Sequence, residues 1–566
     1  MGLLRSMYAL VFVLVACGPA SERPTGPCVE GAQRCSGNEL QTCVAGHFKD
    51  AQACANACDD MLGCVLCVPG TGTCNGMTSH ACNSDGQGYH DDYCDPVQGE
   101  TCGSAGTCEG ACSPAALGQT YLGCDYYPTV TGNPVEQTYD FAVVVSNTTS
   151  TDATVTIDGG ALTTADTFTA PATTSTVHLL PWVLALKLCA AGDSFTCTST
   201  THEGGALAAK GAYHLRATQP VTVYQFNPLE YTKPGASGNS YTNDASLLFP
   251  TTAWRTDHYV ATWNNTANVH PSMLAVTAAQ DNTTVMITAK SATQAGGGAP
   301  AFTAGTPQPV TLNAGDVIQI GTSTGDMTGS RVQSDKPVQV IGAHYCADIP
   351  DGAGYCDHLE EVMLPVDAMG ANYIINAPAV TTIPNGKVET IRVVATEANT
   401  TLTYDPPQAG APATIANPGD FISITQNDQS FKLSADHKIL VAQFMEGSTV
   451  AGGTGDPSMA LAVPVEQFRT QYLFHAPINY ETNYVDITSM VGANIVLDGT
   501  PVTTWTPIGT SGWQLARVTP LGNGPGGDGN HSISGDQGFG ISVYGYGMDT
   551  SYWYPGGLDL HQVVIQ

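Results

Sequence analysis

Asp335-Lys336-Pro337-Val338-Gln339-Val340, a polar turn running into an apolar strand, recurs as Asp436-His437-Lys438-Ile439-Leu440-Val441 and as Asp536-Gln537-Gly538-Phe539-Gly540-Ile541. The three aspartates stand 101 and 100 residues apart, and Gln219-Pro220-Val221-Thr222-Val223 holds the same place one unit earlier. Working outward, each unit opens on an apolar stretch: Phe141-Ala142-Val143-Val144-Val145, Tyr259-Val260-Ala261-Thr262-Trp263, Tyr373-Ile374-Ile375 and Tyr472-Leu473-Phe474. Inside the units, Asp281-Asn282-Thr283-Thr284-Val285-Met286-Ile287 matches Ala398-Asn399-Thr400-Thr401-Leu402. Ala314-Gly315-Asp316-Val317-Ile318 likewise matches Pro418-Gly419-Asp420-Phe421-Ile422. Asn accepts the left-handed turn and Thr begins the strand. Short strands and turns recurring about every hundred residues predict an all-β region of about four repeats over residues 113–566. Tandem β-sandwich-like modules packed in a row are the preferred arrangement, with β-propeller blades as the alternative.

Composition agrees. The chain has 566 residues, of which 42% are hydrophobic and only 12% charged, with 62 Gly and 35 Pro. Such a chain is neither a coiled coil nor wholly disordered. Eighteen basic residues against 49 acidic ones give a formal charge of −31, which argues against nucleic acid as a partner.

The N-terminus sets the compartment. Arg5 precedes an unbroken apolar run from Met7 to Ala16, about half the roughly 20 residues that a membrane span requires. The run ends in Leu14-Val15-Ala16-Cys17, which resembles a bacterial lipobox. On that reading residues 1–17 are a lipoprotein signal peptide with its lipobox, and Cys17 is acylated and anchors the chain to a membrane, since stable anchoring takes two or more acyl chains. Gly18 follows the cysteine, so an inner-membrane retention signal is absent and the outer membrane or cell surface is expected. Residues 18–27 read as a flexible tether.

Eighteen cysteines remain, an even number suited to an oxidising compartment. Twelve of them fall into two copies with gaps of 7, 8, 11, 4, 6 from Cys28 to Cys64 and 7, 8, 12, 8, 6 from Cys67 to Cys108. Each copy is too small for an adequate apolar core, so residues 28–112 are expected to be two disulfide modules with three bridges each. Six cysteines allow fifteen pairings, and sequence alone leaves them open. Cys112 and Cys124 pair across the start of the β region, and Cys189 with Cys197 closes a short loop.

Gly329-Ser330-Arg331-Val332-Gln333-Ser334-Asp335-Lys336-Pro337-Val338, then Gly342-Ala343-His344-Tyr345-Cys346, then Cys356-Asp357-His358-Leu359-Glu360-Glu361-Val362-Met363-Leu364-Pro365-Val366, resembles the N-terminal domain of IgG-Fc-binding proteins. The likeness is sharpest over 329–366 and looser from about 120 to 560. It implies a binding domain and leaves the ligand open. No von Willebrand type D unit accompanies it.

Other constellations are weaker. His344, Cys346, Cys356 and His358 have the residue types of a zinc site, but outside the cytoplasm Cys346 and Cys356 favour a disulfide. The acidic segment 348–361 offers oxygen ligands for calcium without the alternating spacing of a calcium loop, and reads as a solvated loop. There is no G-x-S-x-G elbow, no H-E-x-x-H and no Walker lysine. Gly455-Asp456-Pro457 is followed by Ser458 and reads as a turn. Trp254, Trp263, Trp505 and Trp513 suit β cores.

The resulting expectation is a non-catalytic, lipid-anchored extracytoplasmic protein, without cofactor or metal, whose β region binds an extracellular protein or glycan. An extracytoplasmic hydrolase of polysaccharide or peptide, and a self-associating envelope or matrix protein, are the alternatives.

Overall fold

The structure, a computed structural model, describes residues 28–118, 120–188, 205–236, 238–264, 270–380, 387–450, 454–477, 480–519, 521 and 529–565. Cys17, Cys189 and Cys197 lie outside them. The described chain is all-β, with helix confined to two four-residue turns and four 3-10 turns. Residues 28–94 with 102–108 form one compact unit, and residues 95–101 with the chain from 109 onward form another.

The first unit is built twice from one plan. Gln33–Ser36, Glu39–Val44 and His47–Ala53 make a three-stranded antiparallel sheet, and Gly72–Asn75, Thr78–Cys82 and Tyr89–Tyr93 make the second. Its disulfides repeat too: Cys28–Cys43, Cys35–Cys58 and Cys54–Cys64, then Cys67–Cys82, Cys74–Cys102 and Cys94–Cys108. Each copy therefore joins its first cysteine to its third, second to fifth and fourth to sixth. Apart from half-cystines, the buried apolar side chains come down to Leu40, Val65 and Ala81. Covalent closure replaces the core that so short a segment cannot build.

The second unit holds four sandwich repeats, each organised on one long spine strand. In the first, the front half of Tyr213–Phe226 pairs with Gly123–Tyr126 and Ala153–Gly159, and the rear half with Phe141–Asn147 and Ala245–Leu248. In the second, Arg331–Ala347 takes Arg255–Tyr259 and Thr283–Thr288 at the front, Ser272–Ala278 and Asp357–Val362 at the rear. The third spine is broken at Asp436-His437-Lys438 into Phe431–Ala435 and Ile439–Met445. The fourth is Gly529–Gly547, and its last pairing is with Thr550–Pro555. Cys112 bridges to Cys124, the latter on the first strand of this unit.

The recurring aspartate has one job in the three repeats that carry it. Asp335 accepts the Thr284 N–H at 2.8 Å, Asp436 that of Thr401 at 2.7 Å, and Asp536 that of Asn494 at 2.9 Å. In the first repeat the Thr218 hydroxyl takes the Thr154 N–H at 2.9 Å. Each bond holds the start of an outer strand against the spine. Asn282 and Asn399, at φ 54 and 58, make the left-handed turns before two of these starts.

The row of modules expected from the sequence is a closed ring. Ala245–Leu248, Asp357–Val362, Met459–Leu461 and Thr550–Pro555 are buried at every residue. A strand covered on both faces needs neighbours on both, and these four supply them to one another around a common axis. The ring closes where Thr120 bridges to Asp559 and the Tyr224 hydroxyl donates to the Gly556 carbonyl at 2.8 Å. After the first three inner strands, Pro250, Pro365 and Pro464 each start a 3-10 turn that leads to the next sandwich. Aromatic rings fill the interior: Tyr126, Phe141, Tyr213, Tyr224, Tyr373 and Trp553 are fully buried, and Trp254 and Trp263 nearly so.

Candidate functional site

Antiparallel register decides which loops share an end of the ring. Ala142 pairs with Phe226, Ser272 with His344, Glu389 with Met445, and Thr482 with Tyr546. The segment leaving each spine strand thus lies beside the segment entering its second strand. The four leaving segments, described over 227–236 with 238–244, 348–356, 446–450 with 454–458, and 548–549, lead into the inner strands. Three of them expose an apolar side chain: Tyr355, Val450 and Met548. This end is the loop face.

Its loops are tied to one another. The Cys346–Cys356 disulfide closes the second. Within it, Asp351 accepts hydrogen bonds from Trp263 Nε1 at 3.1 Å and Asn264 Nδ2 at 3.2 Å. The second and third are joined by Gly447 N to Ile349 O at 2.6 Å and by the Thr449 hydroxyl to Ala353 O at 2.5 Å. Asn243 N donates to Thr550 Oγ1 at 3.2 Å, which joins the first to the fourth. Gly455 sits at φ 62 against the Tyr546 ring, where a Cβ would collide. That close approach is why the Gly455-Asp456 turn carries glycine.

Under the loops lies a sealed polar floor. Asp244 accepts hydrogen bonds from Ala245 N at 3.0 Å and Ser458 Oγ at 2.7 Å through one oxygen, and from Glu360 N at 3.0 Å and Met459 N at 3.2 Å through the other. One carboxyl group therefore joins three repeats. Asp357 accepts from its neighbour His358 N at 2.8 Å and from Thr550 Oγ1 at 3.3 Å, which adds the fourth. Glu361 accepts from Ser246 Oγ at 2.8 Å, and Glu360 from Thr131, Gln225 and Asn227 at 2.9–3.3 Å. Burial pushes Asp244, Asp357 and Glu361 well above the usual carboxylate range. Burial also raises Asp456 to about 6, against the pull of Lys387, and lowers Lys387 to about 7, against Asp456, Asp357 and Glu446.

The acidic segment 348–361 is thus split rather than solvated throughout. Asp351 is exposed, whereas Asp357, Glu360 and Glu361 are buried because pairing of 357–362 with the spine draws them into the axis. His344 is buried beside the bridge and accepts the Cys346 N–H at 3.2 Å, and burial depresses its pKa to about 3. His358 bonds to the His344 carbonyl at 2.9 Å through Nδ1. With Cys346 and Cys356 oxidised, the zinc reading has no thiolates, and among the described residues no three His, Cys, Asp or Glu side chains gather as metal ligands.

Asp244, Ser246 and Asn227 carry no motif in the sequence, and Ser458 stands out there only as the residue after the Gly455-Asp456-Pro457 turn. For Asp244, Ser246 and Ser458 the sequence signal is a polar residue or two ahead of an apolar run ending in proline, as in Ser246-Leu247-Leu248-Phe249-Pro250 and Glu361-Val362-Met363-Leu364-Pro365. A separate cavity of about 510 Å³ sits where the fourth repeat meets the first, between Tyr121, Thr148, Thr173, Arg469, Gln471 and Ser534. Its lining has no Asp, Glu, His or Cys.

A ring of β-sandwiches behind a disulfide-stapled region defines a repeat protein of the extracytoplasmic kind. A family model described as IgGFc binding protein matches residues 244–545, more than half of the chain, and the chain belongs to that family. The match begins at Asp244 and runs into the rear half of the fourth spine. Among curated proteins the chain is similar to IgGFc-binding protein of Homo sapiens, 26% identical over 317 residues. That stretch is 55% of this chain and 6% of the human protein, so the chain spans a small fraction of that relative's length.

Proposed function

We propose that the chain is a non-catalytic binding protein held outside the cytoplasm by lipid on Cys17, and that it takes a protein or glycan ligand on the loop face. One observation carries the reading: loops from all four repeats meet at one end of a rigid ring and present Tyr355, Val450 and Met548 to solvent. Loops on a fixed scaffold are the usual place for recognition, and exposed large apolar side chains at such a place mark contact sites. The family supports binding, and its human member is named for immunoglobulin Fc; from that name we take a protein ligand and leave its identity open.

A hydrolase would need a carboxylate pair or a Ser/His cluster in an accessible pocket. The axis carboxylates are sealed, and the 510 Å³ cavity has no acidic or histidine side chain in its lining. The test uses the full chain with disulfides formed, screened against immunoglobulin Fc, mucin glycans, matrix proteins and whole cells, with a hydrolase panel in parallel. Saturable binding that Tyr355→Ser with Met548→Ser weakens about tenfold or more supports the reading. Turnover of a panel substrate, abolished by one point mutation, overturns it. Concentration-dependent self-association without ligand would point to the structural alternative.

A further inference from the structure

Lys187 ends the four-residue helix Leu184–Lys187 and is fully buried beside Trp182, whose ring centroid lies 4.4 Å from its Nζ. A charged amine so placed needs a carboxylate to offset its lost hydration. Arg392 has Asp326 at 2.9 Å, and Lys387 is drawn upward by Asp456, Asp357 and Glu446. Lys187 has no such partner among the described residues. Burial alone moves its pKa, well below the usual lysine value, which favours the neutral amine with its lone pair. Its Nζ donates to two oxygens of one buried residue, Asn133: the backbone carbonyl at 3.2 Å and the side-chain Oδ1.

A chain of buried hydrogen bonds orients that carboxamide. His358 Nδ1 donates to the His344 carbonyl at 2.9 Å, so its Nε2 is an acceptor. Asn227 therefore turns its Nδ2 to His358 at 3.0 Å and to Glu360 at 3.3 Å, which leaves its Oδ1 to accept Asn133 Nδ2 at 2.9 Å. The Thr131 carbonyl accepts from the same Nδ2 at 2.9 Å. Asn133 Oδ1 thus faces Lys187 and accepts the Val135 N–H at 3.2 Å. We propose that Lys187 and Asn133 join through their side chains as an intramolecular amide, a cross-link of sequence separation 54. The Nζ lone pair bonds to Asn133 Cγ, and the carbonyl electron pair moves on to Oδ1, where the Val135 N–H stabilises it. The carbonyl then re-forms, the Cγ–Nδ2 bond breaks, and the nitrogen leaves as ammonia with a proton taken from Nζ. One amine and one amide become one amide and ammonia, and no other reactant enters. Fixed approach in a dry site supplies what an amine and an amide lack in water. The product buries an amide in place of an unpaired amine, which relieves the cost of the site.

The test is mass spectrometry of the full chain, folded with its disulfides, then denatured, reduced, thiol-capped and cut after glutamate. Asn133 falls in the peptide 110–136 and Lys187 in the peptide 137–203. The expected major product is branched: the two peptides joined, lighter than their sum by one ammonia, with fragment ions that place the bond at Asn133 and Lys187. Trypsin should correspondingly leave the denatured chain uncut after Lys187. Recovery of both peptides separately at their sequence masses, or tryptic cleavage after Lys187, would overturn the proposal. Loss of ammonia from 110–136 alone would also overturn it, since that is an asparagine closing on its own backbone. So would a joined product that survives in Lys187→Met. The digest of the unaltered chain decides the matter even where that variant does not fold.

Discussion

Asp244 accepts four hydrogen bonds from donors in three repeats, so truncating it strands buried N–H and O–H groups that no water reaches. Asp244→Ala should cost about 3 kcal/mol or more, read as a lower urea midpoint; a change under about 0.5 kcal/mol would show that the floor does not hold the ring. Arg392 is the matching cation between the second and third repeats. Its guanidinium lies 4.1 Å from the Trp263 ring centroid and 4.9 Å from that of Phe421, and donates to Thr328 at 2.8 Å. Arg392→Ala leaves Asp326 without its partner and should cost about 3 kcal/mol by the same assay. Neither role was legible beforehand. Asp244 stands in Thr242-Asn243-Asp244-Ala245-Ser246, a polar run that reads as a turn, and its burial depends on strands more than a hundred residues away.

Disulfides and turns act on whole elements. The Cys346–Cys356 bridge closes a loop of sequence separation 10, and replacing both cysteines with serine should cost about 2–3 kcal/mol. Amide exchange should rise in 348–356 and leave the Asp335 and Asp436 turns unchanged; a uniform rise would mean that the bridge supports the core and not the loop. Much at this scale was readable. The 100-residue period and the Asn-Thr-Thr turns recur because every repeat meets the same constraint, a strand start locked to its spine. Ring closure entered only as the propeller alternative: the inner strands are short, and such runs look the same in a row as around an axis. The expectation of a solvated acidic loop failed for a related reason. Asp357, Glu360 and Glu361 are adjacent in sequence to exposed Asp351, but strand pairing carries them inside.

Buried carboxylates give the whole molecule a pH signature. Glu389, held by Gln443 at 2.7 Å and Asn427 at 3.2 Å, is pushed up to about 8 by burial, and Asp486 and Asp456 to about 6. A raised folded pKa means that the folded chain binds more protons than the unfolded one between the ordinary carboxylate range and these values. Stability should therefore fall as pH rises from about 4.5 to 8, and Glu389→Gln should flatten the upper part of that decline. Lys387 acts in the opposite sense above its lowered value of about 7, and His258 and His344, lowered to about 4 and about 3, do so up to the ordinary imidazole value, where the raised carboxylates outnumber them. Urea midpoints across this range check it, and a rise in stability between pH 5 and 8 would contradict it. The claim on which the functional reading depends is that ligand meets the loop face. The direct measurement is amide exchange on the full chain with and without a saturating ligand from the screen. Protection confined to 227–244, 348–356, 446–458 and 548–550 is expected; protection at the far-end turns or in residues 28–108, with these segments unchanged, would contradict it.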